Sequence, residues 1–333
     1  MPLIAALYAG LVGFEPARRD TPPPLGDTLV IRLATLAPNG SAWHEILKEM
    51  SARWREASGG LVTLRIYPGG VAGEEEDILR RIGEGQLQAG SLSLAGLSRI
   101  TPQVYVLAIP MAMKSWDDLA RVREVMQPRL EAVFAEKGYV LLNWGDIGWV
   151  RFFLPKPDPS LDAVREYRFV AWADDSAVDL WKDSGFRSVY LELADVLPGL
   201  EESRIDAIGT TPLFMLANRW YPLIPFMVEM PWAPLVGATL IDRETWTRIP
   251  SELRPELLRI AHEAGERMQA EIQRMEVDAV AAMEARGLEV IHPDPEQLQE
   301  WRRFFEEGYP ALRGPLVPEE WFDEVLRLTG NPG

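Results

Sequence analysis

Cysteine is absent from this chain of 333 residues. No disulfide can staple it, and no thiolate can serve as nucleophile, metal ligand or lipid attachment point. Histidine is scarce: His44, His262 and His292 are too widely separated for the ligand spacing of a zinc site. Positive charge is in deficit, with 34 basic against 50 acidic residues and a net charge of −16. Such a surface repels phosphate backbones and anionic lipid, so nucleic acid is not an expected partner. There is no GxGxxG fingerprint, P-loop, HExxH helix or GxSxG elbow. Carboxylates are abundant, but mostly at helical spacing beside basic residues, as on a solvated face. Asp146, between Trp144 and Trp149, is the least ordinary of them. With no nucleophile–base pair and no cofactor motif, the chain does not read as an enzyme, and no cofactor or metal is expected.

What is present begins with an apolar run, Pro2 to Phe14, of about the length of a signal-peptide core. It lacks a basic segment ahead of it and a small-x-small cleavage site, and it is too short to span a bilayer. It reads as a signal or short anchor remnant. Glu15 to Asp27 is Pro-rich and charged, the composition of a linker, so residues 1–27 precede a body starting near Thr28. The remaining length suits two domains with separate cores.

Thr28 to Leu36 is β-branched and aliphatic, a strand by content. Ser41 has the character of an N-cap, with Trp43, Ile46, Leu47, Met50 and Trp54 following at helical spacing. A second strand, Leu61 to Tyr67, precedes the turn Pro68-Gly69-Gly70 and a helix opened by acids, and Gln88 to Leu94 is a short third strand. This βαβ series argues for a parallel sheet with helices on both faces, and for ligands beyond the strands' carboxyl ends at Leu36–Asn39, Tyr67–Gly70 and Leu94–Ser98. Ser115 starts a helix expected to break at Pro128 and end at Gly138. Tyr139–Trp144 and Gly148–Leu154 read as two strands, Tyr167–Trp172 as another, Ser176–Asp183 and Leu193–Glu202 as helices. Glu252 to Arg286 reads as one long helix with Gly287 as its stop, longer than one domain is wide.

The order of several segments is more specific than any of them alone. A strand runs into Leu36-Ala37-Pro38. YPGGVAGEEEDILRRIGEGQLQAG follows over residues 67–90, then AIPMAM over 108–113, KGYVLLNW, YRFVAW, SRIDAIGTTP and the long helix after IPSELRPELL. This resembles the DctP-type solute receptors of TRAP transporters over residues from about 29 to 305. The resemblance implies an α/β fold like that of periplasmic binding proteins, with two domains, a ligand cleft between them and a long C-terminal helix along both. It places residues 28–145 with about 235–270 in domain I, and 146–234 with about 271–333 in domain II. It also implies hinge closure on a small molecule, a membrane permease as partner, and an extracytoplasmic location, which the N-terminal run fits either as a signal or as a membrane tether.

In that family a carboxylate ligand is usually clamped by an arginine on the strand after a Ser-Leu-Asp turn. The matching position here is Val170, with Arg168 two residues earlier and on the same strand face. The family's later asparagine matches Thr210, and Trp172 stands where a proline is usual. These departures resemble a TatP-like branch that lacks the clamp and is associated with a TPR-repeat lipoprotein. Twelve tryptophans is a high count. Trp144, Trp149, Phe152, Trp172, Phe214, Trp220, Tyr221, Met227, Met230 and Trp232 fall in segments the family uses for its cleft or hinge, and Leu94 and Met111 at the expected strand ends join them. Each is equally well explained as core. Together they suit an apolar or weakly polar ligand. An ordinary carboxylate receptor using Arg151 or Arg168, and a ligand-free protein-interaction module, stay open as alternatives.

Overall fold

A computed structural model describes residues 28–171 and 185–330. The N-terminal run and linker, Trp172 and the helix expected over Ser176–Asp183 lie outside the described residues. The chain opens as the sequence pattern requires, with β1 (Leu29–Thr35), α1 (Ala42–Ala57), β2 (Val62–Tyr67), α2 (Glu75–Gly83), β3 (Ala89–Ser93) and α3 (Leu94–Ile100). Ser41 caps α1 by accepting the His44 amide at 3.3 Å, which satisfies one of the free N–H groups of the first turn.

α4 (Trp116–Glu136) runs unbroken through Pro128, against expectation. Proline removes one helical hydrogen bond, whose acceptor here is the Glu124 carbonyl. Glu124 and Pro128 both lie on the exposed side, so the defect is solvated and not buried. The two strands expected on either side of Gly145 are one strand, β4 (Tyr139–Leu154), with register shifts between Leu141 and Asn143 and between Asp146 and Gly148. The glycines at this junction serve close approaches. A Cβ on Gly145 would collide with Trp43, and one on Gly148 would meet the Glu276 carboxylate at 2.6 Å.

The second half carries α5 (Leu161–Arg165), β5 (Arg168–Ala171), β6 (Arg187–Tyr190), α6 (Leu193–Glu201), β7 (Ile208–Thr210), α7 (Pro212–Asn218) and β8 (Phe226–Val228). β9 (Ala233–Asp242), α8 (Arg243–Arg248), α9 (Arg254–Glu284), β10 (Glu289–Ile291), α10 (Pro295–Glu307), α11 (Tyr309–Leu312) and α12 (Glu319–Leu328) complete it. The main sheet has the order β10-β8-β4-β9-β3-β1-β2, with β7 also on β4, and β5 and β6 form a separate parallel pair. The sheet is mixed: β1 pairs parallel with β2 and β3, whereas β9 is antiparallel to both β3 and β4.

The β4–β9 ribbon joins the two halves. β4 pairs with β9 from Tyr139 to Val150, and beyond that with β7 and β8. α9 runs along both halves, about 46 Å at 1.5 Å per residue. Leu257, Ile260, Ala264 and Met268 join the core around Trp54, whereas Met283 joins the core around Val170. Gly287, at φ +101°, follows its end as expected. The C-terminal tail returns: Trp301 and Phe305 of α10 belong to the second-half core, but Trp321 and Phe322 of α12 pack with Phe134 and Met126 of α4 in the first half.

Candidate ligand site

Most of the described residues expected to line a cleft are packed inside, and Phe214 and Trp232 are partly buried. Trp144 stands 6.3 Å from Phe134 in the core of the first half, which also holds Leu94. Trp149 is edge-on to Trp116 at 5.6 Å. Val170 is buried with Leu191, Val196, Trp220, Tyr221 and Met227, and Phe214 packs against that cluster, edge-on to Trp220 at 5.6 Å. Phe152 stacks on Trp232 at 5.7 Å and Trp232 on Phe305 at 5.3 Å, with Met230 in the same cluster. Met111 is the bridging member. Its neighbours Ile109, Ala112 and Met113 belong to the first half, yet its own side chain joins the second-half aromatic cluster. Its N–H donates to the Trp232 carbonyl at 2.6 Å, and its φ of +57° is the left-handed region that costs a non-glycine residue energy. The structure thus brings Met111, Phe152, Met230 and Trp232 together, while Trp144, Trp149 and Leu94 stay in the other core. Two shallow surface hollows, one around Thr28, Leu29 and Arg248 and one around Tyr67, Val71 and Arg81, hold none of these residues.

The two candidate arginines are both engaged. Arg168 donates to Asp206 through Nε at 2.8 Å and Nη2 at 2.7 Å, and its backbone N–H donates to the same carboxylate at 3.1 Å. The guanidinium beside it holds the Asp206 carboxyl below the usual range. The pair lies at the surface, with the Arg168 side chain 42% exposed. Arg151, on β4, is 13% exposed and stands directly opposite Thr210 of β7. Glu229 grips it, accepting from Nε and Nη2 at 3.2 Å each. Glu276 of α9 lies 3.5 Å from Nη1 and also accepts the Trp149 amide at 2.7 Å.

Earlier on β4, Asp146 forms a buried ion pair with Arg123 of α4. Burial raises the Asp146 carboxyl even against that arginine. Burial likewise pushes Glu276 up to about 7, opposed by the Trp149 amide and Arg151 and reinforced by Glu229 and Asp146. Glu75, the first residue of α2, accepts from the amide at 2.5 Å and the hydroxyl at 2.7 Å of Ser93 at the carboxyl end of β3, and burial raises it too. Sequence reading marked Asp146 and Arg151 but missed Arg123, Glu229 and Glu276. A signal for Glu276 existed: Ala264, Met268, Ile272 and Glu276 follow at intervals of four, so a carboxylate occupies the apolar stripe of α9.

A family model described as bacterial extracellular solute-binding protein, family 7 (DctP), matches residues 33–313. The chain belongs to this family. It is 20% identical over 308 residues, 90% of each chain, to the C4-dicarboxylate-binding periplasmic protein DctP of Vibrio cholerae. Among solved structures, a TRAP periplasmic solute-binding protein of Xanthobacter autotrophicus with bound β-D-galacturonate is 18% identical at a TM-score of 0.81, over 90% of this chain and 99% of that one. One of Sulfurospirillum deleyianum with bound succinate is 17% identical at 0.79, over 90% and 98%. The two-domain α/β fold expected from the sequence is therefore the fold of these receptors. A family 7 protein is an extracytoplasmic receptor for small molecules that works with membrane permease subunits, and it is not an enzyme. No helix among the described residues is long and apolar enough to cross a membrane.

Proposed function

We propose that this family 7 receptor takes an apolar or weakly polar small molecule between its two halves and presents it to a TRAP-type permease. One observation carries the reading. The position where the resemblance puts a clamp arginine is Val170, buried among apolar side chains, and the neighbouring Arg168 is spent on Asp206. A guanidinium already held bidentately by an internal carboxylate gains little from a ligand acid. Met111, Phe152, Met230 and Trp232 then form the apolar floor, and Leu94, Trp144, Trp149, Arg151, Thr210 and Phe214 stand at or behind the walls. Removing such surface from water stabilises the complex by roughly 25 cal/mol per Å² before ordering costs. The missing clamp supports assignment to the TatP-like branch, with a TPR-repeat lipoprotein as further partner and the apolar N-terminal run as a tether. We place the domain division at the bulge of β4, residues 28–145 with 235–270 against 146–234 with 271–308. The tail from Tyr309 is assigned to the first domain, because α12 packs on α4.

A second reading, an acid held at Arg151, is favoured by that residue's burial beside Thr210 and by the galacturonate and succinate bound to the neighbours. Native mass spectrometry of the purified protein, followed by calorimetry with short and long carboxylates, decides between them. Co-purification of an apolar compound and no response to acids supports the first. Sub-micromolar binding of any short acid defeats it. An empty protein that binds neither would make the chain a ligand-free interaction module.

A further inference from the structure

Two carboxylates from separate elements converge on Arg151, at the carboxyl end of β7 where ligands of such sheets collect. Glu229, just beyond β8, covers the Nε–Nη2 edge of the guanidinium. Glu276 reaches in from α9 toward Nη1 while fixed by the Trp149 amide. This is how a guanidinium holds a ligand carboxylate, except that the chain supplies both acids itself. The Glu229 side chain is 32% exposed, so the cluster opens to solvent on that side.

We propose that Glu229 and Glu276 are specificity determinants, tethered carboxylates that occupy Arg151 and so close the site to free acids. The proposal rests on the non-acid reading above and names the residues that enforce it. With one cation and two anions the cluster already carries an excess negative charge. The adjoining Arg123–Asp146 pair adds none of either sign. A free carboxylate would enter against that excess at low dielectric, where repulsion between like charges is weakly screened.

The groups facing Glu276 are Arg151 and Asp146 of β4, Glu229 beyond β8, and the Trp149 amide. Because burial and the two neighbouring acids bring Glu276 to about 7, acidification neutralises one of the tethered carboxylates within an accessible range. Arg151 then keeps a single ionised partner, and the excess negative charge disappears. The same chain is therefore closed to acids at pH 8 and more open to them at pH 6.

The test is calorimetry of acetate and D-glucuronate, both ionised over this range, with the full chain. Four proteins are compared: the unmodified protein, Glu276→Gln, the Glu229→Gln/Glu276→Gln double variant, and that double variant with Arg151→Met. Glutamine keeps an acceptor for the Trp149 amide. The unmodified protein is expected to show no measurable acid binding at pH 8 and at least tenfold stronger binding at pH 6. The double variant should bind at least tenfold more tightly than the unmodified protein at pH 8, without pH dependence, and Arg151→Met should abolish the gain. A folded double variant with no gain, or a gain that survives Arg151→Met, overturns the proposal and leaves the non-acid reading standing. Should the double variant not fold, equal acid binding by the unmodified protein at pH 6 and pH 8 overturns it. Tight acid binding by the unmodified protein at pH 8 overturns both.

Discussion

Arg168 and Arg151 lie in the same half of the molecule, both meet carboxylates of the chain, and they differ in almost everything else. Arg168 meets one acid at the surface, in a neutral bidentate pair that ties β5 to the approach of β7. Arg151 meets two acids inside, next to another buried pair, and one of its partners titrates near neutrality. The contrast teaches that an arginine near an expected clamp position says little by itself. The charge already beside it, and the water around that charge, decide whether it is free for a ligand.

The comparison breaks most sharply at its buried member. Arg151→Met leaves Glu229 and Glu276 without their counter-charge, and losing one partner of a buried pair costs about 3–5 kcal/mol. Urea unfolding at pH 8 should show that loss, with partial recovery at pH 6 as Glu276 takes a proton. An unchanged midpoint would mean that water reaches the cluster freely. Val170→Arg tests the other side of the contrast by placing an unpaired guanidinium among Leu191, Val196 and Met227, at a cost of roughly 3 kcal/mol. Its melting temperature should fall unless an anion is bound.

A pH series sharpens the difference further. The folded-state value of Glu276, about 7, exceeds its ordinary 4.5, so between those values the folded protein holds more of this proton than the unfolded chain. Its contribution is therefore fully present below about 4.5 and is lost as pH rises through 7, amounting to at most about 3 kcal/mol. The stability difference between Glu276→Gln and the unmodified protein should grow from pH 5 to pH 8, with the variant the more stable at the alkaline end. A difference that stays constant would show that Glu276 does not titrate there. Arg168→Ala, at the exposed end of the comparison, should barely move the unfolding midpoint, since solvent screens surface pairs. A large loss there would reverse the roles assigned to the two arginines.

Much of the architecture was legible because local rules and tertiary packing agree. Ser41 and Ser115 cap where the pattern places them, and the apolar stripe of α9 with Gly287 behind it gives the long helix nearly to the residue. Local rules failed where distant groups overrule them. The stretch from Gly145 to Ile147 reads as a gap between two strands until Trp43 is known to need the missing side chain of Gly145, and Pro128 reads as a break until Glu124 and Pro128 are known to lie on the exposed side. The candidate site was less legible for the same reason. Arg168 finds its partner 38 residues away and Trp149 finds Glu276 at a separation of 127, distances at which spacing carries no signal. For the aromatic residues sequence could not divide cleft from core: the structure buries Trp144, Trp149, Phe152, Trp220 and Tyr221, and leaves Phe214 and Trp232 partly buried.

The position of β9 fixes when this protein can fold. β3 is closed on one edge by β1 and on the other by β9, with Ser91 opposite Thr239, so the first sheet stays unfinished until residues near 242 exist. Its lower core waits longer, for Leu257 to Met268 of α9. Such long-range pairings pay their loop-closure entropy before any contact rewards it, which makes folding slow and late. The same topology that unites the finished halves makes closure of the first sheet depend on residues far along the chain.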